Sequence, residues 1–340
     1  MLLLAESDGV LHQCLTRELA DVEARFAAEL RSDLECVNQL AAHVERYRGK
    51  MLRPMLVLVS AMATAPQRDR PSEAHRVVAT VVEMVHMATL VHDDILDEAI
   101  MRRRGATINH LSGNEAAVML GDYLISHAYH LCSALGRPSV SRAIAAATNT
   151  VCEGELLQLS YRNDWALDEE TYFEIIRRKT ASLAGVCCRV AAEVSHADEP
   201  VPRALNEYGE KLGIAFQIVD DLLDLTGEER TVGKTLGRDL EKGKLTLPLI
   251  HALAAPGGEA KHRLLTRVAN WDDQTDPLDR DGQVRAIRDW LDAAGSVDYA
   301  RERARQLIDE AKAAAEDHLP DSPGRALMLK MADAVLDRQF

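Results

Sequence analysis

Two short acidic motifs of identical spacing, DDILD and DDLLD, offer the clearest chemistry in the sequence. Each follows an apolar run with helical periodicity, so its first and last aspartates lie one turn apart on one helix face. Like charges repel at this spacing unless a cation binds between them. One such motif is typical of a solvated acidic face, but the recurrence, with hard oxygen donors and no Cys or His, predicts a Mg²⁺ site. Its candidate ligands are Asp93, Asp94, Asp97, Asp220, Asp221 and Asp224.

Basic residues recur at defined points of a chain whose formal net charge is −14 at pH 7. They occur in GKMLRP, MRRR, RRKT and VGKTLGRDLEKGK, and any one of these segments alone is typical of an exposed charge. Together they predict sites for two anions, one gripped through metal and the other held directly by lysine and arginine. The residues are Lys50, Arg53, Arg102, Arg103, Arg104, Lys179, Thr180, Lys234 and Lys244.

The composition predicts the elements that position these residues. The chain has 340 residues, of which 47% are apolar and only 4% are aromatic, a mixture that favours helices. The acidic balance argues against a general nucleic-acid surface. Six cysteines without a C-x-x-C pair are typical of reduced core residues rather than a zinc or disulfide framework. No apolar run has the length of a membrane span, so we expect a cytoplasmic protein without a transmembrane segment.

Helical periodicity runs along almost the whole sequence and predicts a single all-α bundle domain over residues 1–340. The DPLDRDG segment at 276–282 resembles part of a calcium loop, but Pro277 and Arg288 would fall at ligand positions, so we expect a solvated acidic loop. The predicted helices lie near 12–46, 54–65, 72–101, 114–135, 138–162, 169–195, 200–226, 244–254, 259–270, 283–293, 297–316 and 323–338.

In their order and combination these motifs resemble the trans-isoprenyl diphosphate synthase (polyprenyl synthetase) family. The resemblance runs from about Gly49 to about Pro248 and includes the F-Q pair before the second acidic motif. It implies helices around a central cavity and a homodimer. It also implies Mg²⁺-dependent head-to-tail condensation of isopentenyl diphosphate with an allylic diphosphate.

The resemblance also implies a role for each motif residue. Asp93 and Asp97 would bind two Mg²⁺ ions, and Asp220 a third, supported by Asp221 and Asp224. Thr180 and Gln217 would turn oxygen dipoles toward the reacting carbons. The expected contacts of the allylic diphosphate are Arg102, Lys179, Lys234 and Lys244. Those of isopentenyl diphosphate are Lys50, Arg53, His86 and Arg103.

One departure affects the arginine pair. The family usually has R-R-G after the first acidic motif, whereas this chain has R-R-R-G. Counting from Asp93 assigns the pair to Arg102 and Arg103, with Arg104 in place of the glycine. Counting back from Gly105 assigns it to Arg103 and Arg104. We prefer the first register because it needs no insertion.

Small side chains before the first acidic motif bear on the product. Ala88 and Thr89 lie about one turn before Asp93, and Met84 lies a turn deeper. None of the three is a bulky aromatic residue that would stop growth of the chain. The resemblance to long-chain members predicts an all-trans product longer than geranylgeranyl diphosphate. A short-chain synthase, a class I terpene cyclase and a non-catalytic synthase subunit remain compatible with parts of the pattern. Ala88 could instead serve only close helix packing.

Overall fold

The computed structural model describes residues 9–45, 49–67, 70–102, 105–226, 237–254 and 277–337. Within these ranges the chain is almost entirely helical, which confirms the predicted fold class. It divides into two compact units. Unit 1 comprises Met1–Asn149, Leu183–Glu210 and Ala311–Ala332, and unit 2 comprises Thr150–Ser182, Lys211–Glu310 and Asp333–Phe340. The single domain expected from the sequence stays a prediction.

Unit 1 is built around one apolar helix, α4, which packs against α1, α3 and α6. Its side chains from Val77 to Met87 are buried almost without interruption because neighbours cover it on several sides. Arg76 Nη1 of α4 and Glu18 Oε2 of α1 form an ion pair at a distance of 2.9 Å, which links the two helices. The elements of the first part of the chain, all of which begin in this unit, are α1 (Gly9–Glu29), α2 (Glu35–Val44), α3 (Leu52–Thr64), α4 (Glu73–Leu96), β1 (Met101–Arg102), β2 (Gly105–Ala106), α5 (Ile108–Ser112), α6 (Asn114–Ser133) and α7 (Pro138–Ser160).

Unit 2 begins at Thr150, within α7. Its first helix, α8 (Glu169–Ile176), begins at Asp168, whose carboxylate accepts the Thr171 backbone N–H at 2.8 Å. A π-helical turn, Arg177–Ala181, comes directly afterwards. The other elements of the chain are α9 (Ser182–Val194), α10 (Val201–Thr226), α11 (Arg238–Glu241), α12 (Leu247–Ala254), α13 (Pro277–Ala293), α14 (Ser296–His318) and α15 (Pro323–Leu336). Of these, α9, α10, α14 and α15 have residues in both units.

Two helix predictions and one loop prediction need correction. The predicted helix 12–46 is broken at 30–34, where Asn38 bonds the backbone N–H and C=O of Ser32 at 2.9 Å and replaces helical hydrogen bonds. The predicted helix 72–101 ends earlier, at Leu96, and a two-residue hairpin follows. The acidic segment expected to be a loop is instead the start of α13 from Pro277, because proline suits a first helical turn. The predicted helix 259–270 lies outside the described residues.

The cysteines divide by burial. All six are free thiols, as the sequence indicates, and Cys132, Cys187 and Cys188 are buried. Burial raises the pKa of the Cys188 thiol to about 12, which leaves it protonated. Cys36 and Cys152 are exposed, so the prediction of core positions is wrong for these two.

One helix in the described part of the chain, α4, is long and apolar enough to cross a membrane by length and composition. Its most apolar 18-residue window is 72% buried within the protein. That burial is typical of the core helix of a globular protein.

Candidate active site

The first acidic motif occupies the C-terminal end of α4. Asp93 and Asp97 are partly exposed, and the Asp97 backbone N–H donates to the Asp93 carbonyl at 2.8 Å, which keeps them one turn apart. Asp94 between them is only 1% exposed. One of its oxygens, Oδ1, accepts from both Nε and Nη2 of Arg102 at 2.8 Å. The middle aspartate is therefore fixed by the protein, while the outer two remain accessible.

The second acidic motif lies near the C-terminal end of α10, and its middle aspartate is again buried. Asp221 is 4% exposed and accepts from the Tyr172 hydroxyl at 2.6 Å and from Gln217 Nε2 at 2.8 Å. Asp220 is partly exposed. The carboxylate of Asp224 accepts from the backbone N–H groups of residues 238 and 239, at 3.3 and 3.1 Å, at the start of α11. Asp220 and Asp224 are thus the partly exposed carboxylates of this motif.

The predicted metal residues fit hard-cation chemistry in a particular way. Within the described ranges, no group of three or more His, Cys, Asp or Glu side chains is arranged to hold a metal ion by itself. Mg²⁺ commonly takes only one or two carboxylates and completes its shell with substrate phosphates and water. Asp93, Asp97 and Asp220 are partly exposed, as this arrangement requires. Asp94 and Asp221 are buried in hydrogen bonds with the protein.

Burial sets the protonation of the pair between α8 and α10. It raises the pKa of Asp221, and the negative charge of Asp239 raises it further. Burial also raises the pKa of Tyr172 well above its ordinary value, with Asp221 adding to the effect. The phenol therefore keeps its proton and remains a hydrogen-bond donor to the carboxyl group.

A cavity of about 120 Å³ in unit 2 brings five of the predicted site residues together. Its wall is mixed, with two lysines, hydroxyl and amide groups, and an apolar portion that includes Leu167 and Ile176. A charged and apolar lining of this kind suits a ligand with an anionic head and a hydrocarbon tail. The predicted residues on the wall are Lys179, Thr180, Gln217, Asp221 and Lys244.

Lys179 and Thr180 lie on the π-helical turn, which sequence periodicity does not reveal. Lys179 forms an ion pair with Glu155 of α7, and Thr180 Oγ1 donates to Gln217 Oε1 at 3.0 Å. A Cβ atom on Gly154 would lie 2.5 Å from the Lys179 backbone nitrogen, so only glycine permits this approach of α7. Single π turns inside helices occur frequently at functional sites.

A tight contact positions Lys244. Gly243 has a φ of 66°, and a Cβ atom there would lie 1.8 Å from Oδ1 of Asn163. The Asn163 backbone N–H donates to the Gly243 carbonyl at 2.9 Å. Glycine is required both by the backbone conformation and by the neighbouring side chain, and this contact holds Lys244 at the cavity wall.

The residues expected to bind isopentenyl diphosphate lie in unit 1. Lys50 is exposed and Arg53 is half-buried at the start of α3, while His86 is partly exposed on α4. Burial lowers the pKa of Arg53, and the charge of Glu83 opposes this shift. Arg53 Nε is a buried donor without a hydrogen-bond partner in the structure. An unsatisfied guanidinium donor of this kind suits an anionic ligand.

The predicted chain-length residues line one side of α4. Met84 and Ala88 are fully buried, and Thr89 is partly exposed with its hydroxyl donating to the His86 carbonyl at 2.8 Å. Among the described elements, α6 makes the most extensive contact with α4.

Arg103, Arg104 and Lys234 lie outside the described residues. The register of the arginine pair therefore stays a prediction. Sequence reasoning missed Tyr172, Glu155 and Asp239, which the structure places beside the predicted residues. Glu155 and Asp239 occur within glycine-bearing segments, EGE and GRDLEKGK, which were the available signals.

Comparison with known proteins agrees with this geometry. The family model described as polyprenyl synthetase matches residues 34–279. Octaprenyl diphosphate synthase of Escherichia coli is 34% identical over 331 residues, covering 96% of this chain and 98% of that protein. A geranylgeranyl pyrophosphate synthase of Geoglobus acetivorans is 36% identical over 309 residues, covering 89% and 91%.

A solved structure gives the same result. A polyprenyl synthase from Caulobacter crescentus CB15, complexed with calcium and isoprenyl diphosphate, superposes with a TM-score of 0.86 at 31% identity. The match covers 97% of this chain and 98% of that one. The fold and site thus define an isoprenoid-type helical prenyltransferase, and the chain belongs to the polyprenyl synthetase family. It is a polyprenyl diphosphate synthase.

Proposed function

We propose that this enzyme condenses isopentenyl diphosphate with an allylic diphosphate, head to tail, to give an all-trans polyprenyl diphosphate longer than geranylgeranyl diphosphate. The observation that carries the proposal is the shared arrangement of the two acidic motifs. In each, the middle aspartate is buried and bonded by the protein, and the first aspartate is accessible at a helix end. Two motifs of this kind suit Mg²⁺ ions whose remaining ligands are oxygens of the substrate diphosphate and of water.

Mg²⁺, held by Asp93, Asp97 and Asp220 together with the allylic diphosphate, would neutralise charge on the leaving group. Lys179 and Lys244 stabilise the same negative charge as the allylic C–O bond breaks. Thr180 and Gln217 place oxygen atoms at the wall where the allylic cation forms. The isopentenyl double bond then attacks the cation, and the proton that is lost passes to the released diphosphate. Apolar side chains exclude water, which would otherwise capture the cation.

The proposed product length rests on α4. Ala88, one turn before Asp93, is fully buried, and Met84 a turn deeper is flexible and unbranched. No aromatic side chain occurs between Val77 and Asp93 on this helix. The likeness to an octaprenyl diphosphate synthase supports a long product. The likeness to a geranylgeranyl pyrophosphate synthase keeps a short-chain product open.

A terpene cyclase and a non-catalytic subunit both fit the chain less well than a synthase does. A class I terpene cyclase has no need of a second DDxxD motif or of the Lys50 and Arg53 site. A non-catalytic subunit would be expected to lose aspartates, whereas this chain retains six in the two motifs.

We further propose a cytoplasmic homodimer in which residues 1–340 form one functional domain. An apolar surface on α5 and α6 supports self-association, because Leu111, Val118 and Met119 are exposed at 56%, 43% and 65%. Exposed apolar side chains this close together are costly in water unless a partner covers them.

The deciding experiment incubates purified enzyme with Mg²⁺, radiolabelled isopentenyl diphosphate and each of three allylic primers: geranyl, farnesyl and geranylgeranyl diphosphate. The products are dephosphorylated and separated by chromatography. We expect chains longer than geranylgeraniol from the accepted primers. Products that stop at farnesol or geranylgeraniol would establish a short-chain synthase, cyclic hydrocarbons would indicate a cyclase, and an inactive protein would indicate a non-catalytic subunit.

A further inference from the structure

Four side chains on the cavity wall of unit 2 form a continuous hydrogen-bonded chain. Thr180 Oγ1 donates to Gln217 Oε1 at 3.0 Å, and Gln217 Nε2 donates to Asp221 Oδ1 at 2.8 Å. Tyr172 Oη donates to the other oxygen of Asp221, Oδ2, at 2.6 Å. All four residues line the cavity. The chain begins at the hydroxyl and amide assigned to the reacting carbons and ends at a tyrosine that has no role in the steps above.

The direction of every bond in this chain follows from Asp221. In the structure both of its oxygens accept, and Gln217 presents its amide nitrogen to the carboxyl group. Its amide oxygen is then turned to Thr180 and takes the hydroxyl proton. The reverse orientation would place the amide oxygen of Gln217 against a carboxyl oxygen of Asp221 that already acts as an acceptor. Thr180 Oγ1 and Gln217 Oε1 therefore keep lone pairs for further interactions at the cavity wall, while the second amide N–H of Gln217 remains a donor.

The π-helical turn makes this chain possible. Tyr172 and Thr180 are eight residues apart, which in an uninterrupted α-helix is about 2.2 turns and leaves them about 80° apart around the axis. A π turn holds more residues and takes up part of that rotation. Both side chains consequently reach Gln217 and Asp221, which are one turn apart on α10.

We propose that Tyr172 is a positioning residue for the condensation: it fixes Asp221, which fixes the Gln217 amide and, through it, the Thr180 hydroxyl. This inference rests on the proposed function. Tyr172 touches neither diphosphate in this role. Asp221 then serves as the acceptor that orders the chain rather than as an open metal ligand. The ordered oxygens stabilise the allylic cation without waiting for side chains to reorient.

The burial of the tyrosine suits this role. Tyr172 is only 3% exposed, and its hydroxyl lies 2.6 Å from Asp221 Oδ2. Removing the hydroxyl releases one Asp221 oxygen, which permits the carboxyl group and then the Gln217 amide to rotate. A rotated amide would direct N–H groups toward a developing cation. A hydrogen bond near the upper end of the usual net range, about 1.4 kcal/mol, converts to a loss of about tenfold in rate.

The test is Tyr172→Phe, which keeps the ring and removes only the hydroxyl. We expect kcat to fall about tenfold while KM for both diphosphates stays within about twofold. More of the allylic diphosphate should be hydrolysed to allylic alcohol and diphosphate, because a less stabilised cation is captured by water. Calorimetric binding of a non-ionising allylic thiolodiphosphate in Mg²⁺ should be unchanged. Wild-type values of kcat and alcohol fraction, or a raised KM with unchanged kcat, would overturn the inference.

Two controls separate positioning from packing. Tyr299→Phe removes the same hydroxyl from a tyrosine that donates to Glu169 at 2.8 Å in unit 2, away from the cavity wall. It should leave kcat unchanged, and an equal loss of kcat would refute a specific role for Tyr172. In a Gln217→Ala background, Tyr172→Phe should lower kcat by less than about twofold further, because its effect passes through the amide. A full tenfold loss of kcat in this background would contradict the proposed hydrogen-bonded chain from Tyr172 to Thr180.

The wild-type assay distinguishes this inference from the function it rests on. A wild-type enzyme that makes no prenyl diphosphate refutes the proposed function. An active wild type with an indistinguishable Tyr172→Phe variant refutes only the positioning role.

Discussion

At the scale of single residues, the two acidic motifs divide their aspartates between ligand binding and structure. Asp94 is buried against the guanidinium of Arg102, and Asp221 against Tyr172 and Gln217. Asp93 and Asp220 keep accessible oxygens. Neutralising a middle aspartate and neutralising a first aspartate should therefore have different consequences.

We predict that Asp93→Asn lowers turnover by at least about a hundredfold with little change in the free energy of unfolding. Asp94→Asn should also destabilise the protein by about 2 kcal/mol, because it weakens a buried charged pair. Turnover at saturating Mg²⁺ and urea unfolding curves measure the two effects. Asp309→Asn, at an exposed position on α14, is the control and should change neither. Near-normal turnover in Asp93→Asn would contradict the metal assignment.

Residue types and spacing singled out the two acidic motifs and the basic segments, and the family resemblance added Gln217 to the residues that meet at the cavity of unit 2. They were not enough to predict the partners of those residues. Tyr172 meets Asp221 across 49 positions of sequence, and nothing local to either residue indicates the contact. Such pairs follow from how α8 and α10 pack, which depends on the whole unit.

At the scale of elements, α4 determines the predicted length of the product. Ala88→Phe should shorten the main product by at least one isoprene unit, because the ring fills space one turn before Asp93. Ala88→Leu should shorten it less. Chromatography of dephosphorylated products measures the distribution.

The matched control for this substitution lies on the same helix. Ala79 is also fully buried but is nine residues from Ala88, which places it about 180° around α4. Ala79→Phe introduces the same overpacking and should leave the product distribution unchanged. If both variants shorten the product equally, the Ala88 face of α4 does not set the length of the product.

The contact between α7 and the π-helical turn gives an element-scale prediction. Gly154→Ala should destabilise the protein by about 1–3 kcal/mol and lower turnover, because the added methyl would lie 2.5 Å from the Lys179 backbone nitrogen. Gly282→Ala is the control, since nothing lies within 4 Å of its position in α13. It should stabilise the helix by up to about 1 kcal/mol. Thermal denaturation would show opposite shifts, and stabilisation by both changes would contradict the close approach.

Helix existence was predictable here, and helix boundaries were less so. The break after α1 depends on Asn38 bonding back to Ser32, a side-chain contact that apolar periodicity does not register. The π turn is hidden for a related reason. Residues 169–195 read as one helix from periodicity, because the π turn Arg177–Ala181 contains no glycine or proline that would mark an interruption.

At the scale of the whole molecule, the exposed apolar side chains of α5 and α6 predict a dimer. Light scattering after size-exclusion chromatography should give twice the mass of the chain at micromolar concentration. Met119→Asp should shift the enzyme toward monomer, because a charge in an apolar interface is costly to bury. Leu34→Asp alters a residue of similar exposure beside α2 and is the control. A monomeric wild type would refute the homodimer.

The π-helical turn also has a consequence for how this gene can vary in length. Losing one codon within Arg177–Ala181 would restore an ordinary helix and turn Tyr172 by about 100° relative to the residues after the deletion. The phenol would leave Asp221 although every residue of the two acidic motifs remained unchanged. Single-codon deletions across residues 169–181 should thus be far more harmful than deletions in the turn at 134–137 before α7. A deletion scan under selection for prenyl diphosphate synthesis would display the difference directly.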